Sequence, residues 1–87
     1  MTMVGGNLEQ LQVLEHQFSA DAQEVGDLQR RITATLGNTT WTGPAADRFR
    51  QEWNGSFVGA LTRLQEALVD NAAVVRSRTQ AIQQATS

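Results

Sequence analysis

"WTGPAADRF", residues 41–49, lies near the middle of an 87-residue chain and carries one of its two tryptophans and its only proline. On either side the apolar residues step by three or four, which is the spacing of one helical face. A large ring followed by Gly and Pro at the midpoint of such a sequence marks a reversal. Gly43 lets the backbone turn tightly, and Pro44 suits the first turn of a new helix, where its missing N–H costs nothing. Trp41 is then expected to cap the open end of an apolar seam between two helices. Trp41, Gly43 and Pro44 are the candidate turn motif.

Upstream, the stripe runs Leu8, Leu11, Leu14, Phe18, Ala22, Val25, Leu28, Ile32, Leu36. Asn7, with Gln10 three places on, resembles a capping box. Gly37 and Asn38 both tolerate the left-handed conformation that closes many helices. The first helix is therefore predicted at about residues 8–36, roughly 43 Å long at ~1.5 Å per residue, with a turn at 37–43. Downstream, the stripe runs Ala46, Phe49, Trp53, Phe57, Ala60, Leu64, Leu68, Asn71, Val75, Arg78, Ile82, widened by Leu61 and Ala72 on one flank and Ala67 and Val74 on the other. Asp47 stands near the positive end of the helix dipole. The second helix is predicted at about 44–83, roughly 60 Å long.

Gly26, Gly55 and Gly59 each cost about 1 kcal/mol relative to Ala in a helix interior, so "WNGSF" at 53–57 is a candidate break. The stepping from Trp53 to Phe57 to Ala60 holds its phase across Gly55, which favours one unbroken helix. Order must come from packing rather than from intrinsic helicity.

The expected fold is all-α: one domain over residues 1–87, an antiparallel two-helix hairpin that pairs into a four-helix bundle dimer. A chain this short keeps only about 3–5 kcal/mol of net stability from one core, and there is no Cys to staple it. The second stripe is also wider than a two-helix seam needs. The residues expected at the hairpin and dimer interface are Leu11, Leu14, Phe18, Val25, Leu28 and Ile32 from the first helix. Phe49, Trp53, Phe57, Leu61, Leu64, Leu68 and Val75 join them from the second. Asn71 and Arg78 fall on that stripe: Asn71 either pairs across the seam and fixes register or points to the edge, and Arg78 either reaches a partner's carboxylate or lays its stem on apolar surface with its head in water, the second reading being favoured for both.

Composition narrows the function. The net charge is −2, and all seven basic side chains are Arg, spread along the chain. With no basic stripe to neutralise phosphates, nucleic-acid binding is not expected. The chain has one His and no Cys, Lys or Tyr. His16 falls on the side of the first helix away from Leu14 and Phe18, and the carboxylates at 21, 24 and 27 read as a solvated face. Nothing suggests a cleft that would tune an acid–base pair, so no catalytic residue is assigned, and neither a metal nor a cofactor is expected. "MTMVGGNLEQ" lacks the basic and apolar regions of a secretory signal, and no run approaches a membrane span.

Trp41–Thr42–Gly43 between two long amphipathic helices, with Ala45, Ala46, Phe49 and Trp53 after the turn, resembles the WXG family, the ESAT-six-like or Esx proteins of type VII secretion. The likeness extends over the whole chain, and the use of Arg without Lys fits an actinobacterial genome. The resemblance implies a non-enzymatic protein, cytoplasmic before export and secreted without a cleavable signal peptide. Its implied partners are itself or a second WXG protein, the type VII secretion ATPase, and a larger effector. Members that carry their own export signal usually have Tyr-x-x-x-Asp/Glu after the second helix, whereas this sequence contains no tyrosine. The alternative is therefore an intracellular chaperone or adaptor that escorts a larger effector. A third reading, in which the hairpin opens and lays its apolar faces on lipid, follows from the long amphipathic helices but ranks last, because the polar faces mix Glu, Gln, Asp and Arg without basic enrichment.

Overall fold

Asn7 starts the first helix as the sequence predicts: its side-chain oxygen accepts from the backbone N–H of Gln10 at 3.1 Å, satisfying one of the donors that a helix N-terminus leaves free. The computed structural model describes residues 7–86, and among them every regular element is helical. Helix α1 spans Leu8–Asn38, α2 spans Pro44–Glu52, a single π-helical turn spans Trp53–Phe57, and α3 spans Val58–Thr86. The π turn joins α2 to α3 without a reversal, so the chain is an antiparallel helical hairpin about 63 Å long and 18 × 15 Å across.

The first helix does not stop where its Gly–Asn pair suggested. Gly37 and Asn38 remain helical, and α1 ends at Thr39 in extended backbone (φ −104°, ψ 127°). Gly43 is the one described residue with positive φ. At φ 113°, ψ 174° it forms the N-cap of α2, and its carbonyl accepts from the N–H of Asp47 at 3.0 Å. Pro44 opens the helix as predicted.

The second rod is continuous, but its phase is not. In the π turn the N–H of Val58 reaches back five residues to the carbonyl of Trp53, so one extra residue is wound into the rod. The line facing α1 therefore runs Ala46, Arg50, Trp53, then Val58, Leu61, Gln65, and on through Leu68, Ala72, Val75 and Thr79, all buried or half-buried. The line one residue behind it, Phe57, Ala60, Leu64, Ala67, Asn71 and Val74, is exposed throughout. The expectation that Phe57, Ala60 and Leu64 continue the inward stripe is corrected here. It assumed four residues between equivalent positions at 53–57, where the helix takes five.

Small side chains set the spacing of the two rods. Ala22 and Ala72 are buried and line the same cleft between them. Gly26 is buried too; a Cβ placed there would stand 2.8 Å from Nε2 of Gln65, which lies across it. Farther from the bend, Arg76 Nε donates to Glu15 Oε2 at 3.0 Å, linking residues 61 apart in sequence. Thr79, buried on the inward line, satisfies its hydroxyl on the Arg76 carbonyl at 2.8 Å. The interior is thin: among the described residues no large side chain is completely buried.

Candidate functional site

Two features of the hairpin stand apart from ordinary helix packing: the bend, and the apolar side that the hairpin leaves open.

At the bend Trp53 lies in the seam as expected, whereas Trp41 closes its end less than expected. Trp53 is the buried indole, 5% exposed, and its Nε1 donates to the Thr33 hydroxyl of α1 at 3.0 Å. Trp41 is 40% exposed, so it covers the end of the seam only in part. The reason is geometric. Trp53 lies on the inward line two helical turns into the second rod, opposite α1, whereas Trp41 sits in the connecting segment beyond the last turn of α1. The rings form a chain across the bend. Trp41 packs tilted against Phe49 at 6.1 Å between centroids, Phe49 stacks on Trp53 at 6.3 Å and meets Phe57 at 6.2 Å.

Arg50 ties this chain to the end of α1. Its Nη1 donates to the Trp41 carbonyl at 2.6 Å, and its Nη2 donates to the carbonyls of Thr39 at 3.2 Å and Leu36 at 3.4 Å. The guanidinium carbon stands 5.8 Å from the Trp41 ring centre, within cation–π range. A helix C-terminus carries partial negative charge and carbonyls without intrahelical partners, so a cation there satisfies both needs. Sequence reading missed Arg50. Its signal was the 46–50–53 spacing, which places a cation inside an apolar line at the level where α1 must end. Arg50→Ala is expected to lower stability by about 1–2 kcal/mol, the lower part of the range for charged hydrogen bonds because the group is partly solvated. Arg50→Lys should recover only part of the loss, since an ammonium cannot reach several carbonyls as the planar fork does. Thermal melts of the two variants at one protein concentration check this; equal melting temperatures for all three proteins would contradict it.

Of the interface residues expected from sequence, Leu11, Phe18, Val25, Ile32, Phe49, Leu61, Leu68 and Val75 are half-buried in the seam, and Trp53 is buried. Leu14, Leu28, Phe57 and Leu64 are exposed, Leu64 at 48%. These four share a side. Ser19 and Gln23 of α1 line one cleft with Val69 and Ala73 of α3, which puts Leu14, Leu28 and Leu64 on the opposite flank of the seam. Phe57 joins that flank to the ring chain at the bend. The result is a discontinuous apolar band from Leu14 to Phe57 along one flank, while Val69, 53% exposed, stands on the other.

Asn71 is at the edge as expected, exposed and donating to the Ala67 carbonyl at 2.7 Å. Arg78 and His16 are exposed. Among the described residues no group of His, Cys, Asp or Glu is placed to hold a metal ion, and no helix is long and apolar enough to cross a membrane. A shallow cleft at the bend is lined by Thr33, Leu36, Arg50 and Trp53, whose polar groups already serve the contacts described above. No family model, curated protein or solved structure matches this chain.

Proposed function

We propose that this chain is a non-enzymatic hairpin of the WXG, or Esx, type that works with a type VII secretion system, docking on a second hairpin and being exported as that pair. The open apolar band carries the reading. Burying one Leu or Phe fully contributes about 1.5–3 kcal/mol. Leu14, Leu28, Phe57 and Leu64 are still 38–48% exposed, so a cover adds roughly 2.5–5 kcal/mol from these four alone, about as much as the net stability of a domain this size. A second helical hairpin fits such a band by length and shape. The Trp41–Thr42–Gly43 bend between the two rods adds the likeness to secreted pairs of this kind.

The test is export itself. With the secretion ATPase present, the protein should accumulate outside the cell, and without it the protein should be retained; equal external amounts in both strains would remove the proposal. Native pull-down separates the escort role. Recovery of an effector with its own hairpin domain and an additional globular domain, in place of a second small hairpin, would favour an adaptor that stays inside.

A further inference from the structure

The outward line on α3 has more order than a leftover apolar patch. Phe57, Ala60, Leu64, Ala67, Asn71 and Val74 alternate steps of three and four without interruption, and all are exposed. This is the strict two-in-seven pattern of a coiled-coil seam, with Phe57, Leu64 and Asn71 at one of its two positions and Ala60, Ala67 and Val74 at the other. Arg63 and Asp70 flank the line on its outer edge, immediately before Leu64 and Asn71, and both are exposed. Neither makes an ion pair among the described residues.

From this arrangement we infer that the seam is occupied by the same seam of a second copy, running antiparallel with Leu64 opposite Ala67 of the other chain. This rests on reading the open band as a hairpin-docking face and commits it to self-pairing in one register. Three considerations select the arrangement. A parallel pair would set Arg78, which continues the line, beside its own copy, and would stack Ala on Ala where no contact forms. The antiparallel pair instead sets Phe57 against Val74, Leu64 against Ala67 and Asn71 against Ala60, so each larger side chain meets a smaller one. The third consideration is charge. With Leu64 opposite Ala67, the twofold axis passes between residues 65 and 66, and Arg63 of each chain meets Asp70 of the other, giving two symmetric ion pairs. Sliding by seven residues one way brings Asp70 against Asp70; sliding the other way brings Arg63 against Arg63. Like charges placed opposite one another are the usual means by which such a seam rejects wrong registers. The interface is isologous, as a closed dimer requires.

The experiment is sedimentation equilibrium on the full chain, with circular dichroism to confirm that each variant remains helical. The wild type is expected to be a dimer. Arg63→Asp and Asp70→Arg should each weaken the dimer about tenfold, because each replaces two attractive contacts by two repulsive ones. The double variant R63D/D70R should return to the wild-type dissociation constant. A wild-type monomer at tens of micromolar overturns the inference, as does a dimer that the single changes leave intact or that the double change fails to restore. These outcomes are independent of the export test. A restored dimer in a protein whose external level ignores the ATPase would remove only the secretion reading, and an ATPase-dependent monomer would remove only the self-pairing.

Discussion

Trp53→Ala is expected to lower stability by about 3–5 kcal/mol, the range for deleting a buried aromatic side chain. That is about the whole net stability of a domain this short, so the variant should be largely unfolded at room temperature. The loss has two sources. The indole fills the space between α2 and α1, where it is 5% exposed, and it donates the hydrogen bond to Thr33. Trp53→Phe keeps most of the first and loses the second, for a smaller cost of about 1 kcal/mol for the hydrogen bond plus the lost area. Trp41→Ala, at the more exposed ring, should cost clearly less than Trp53→Ala. Far-UV circular dichroism during thermal unfolding, at a fixed protein concentration so that association does not enter, ranks the three. A larger loss at 41 than at 53 would mean that the bend ring, and not the ring in the second rod, closes the seam.

Gly43→Ala is expected to cost about 1–3 kcal/mol, the range for holding a non-glycine residue in a sparsely populated backbone region. A Cβ there meets nothing within 4 Å, so the penalty comes from the backbone at φ 113° alone. Gly37 supplies the control. It is helical and equally uncrowded, so Gly37→Ala should stabilise by about 0.4–1 kcal/mol. Opposite signs for two identical substitutions six residues apart would locate the chain reversal at Gly43. Shifts of the same sign, measured by the same melts, would contradict the bend geometry.

The hairpin itself was legible because its evidence is repeated many times. Each apolar residue of the two stripes restates the helical period, Asn7 is a cap in both readings, and Gly43–Pro44 permits little other than a turn. The phase slip was hidden. Trp53 and Phe57 are four residues apart, and that spacing is compatible both with a regular turn and with a π turn that leaves Phe57 outside. Only the packing of Trp53 against Thr33, twenty residues away in sequence, distinguishes the two. As a result the inward and outward lines of α3 were merged into one wide stripe, although the excess width was itself the trace of two separate lines. Arg50 was overlooked for a related reason. A cation within an apolar line becomes intelligible once the carbonyls it serves, contributed by the end of the other helix, are in place.

The slender form has a consequence for passage through confined spaces. An 87-residue chain folded as a ball would have a radius of gyration of about 12 Å by the usual size law, whereas this chain has 19.1 Å. Its girth is that of two helices abreast, so an aperture too tight for a ball of equal mass would admit it end-on with its hydrogen bonds intact. Lengthening both arms would leave that bore requirement unchanged, while docking a second rod alongside would roughly double it in one direction.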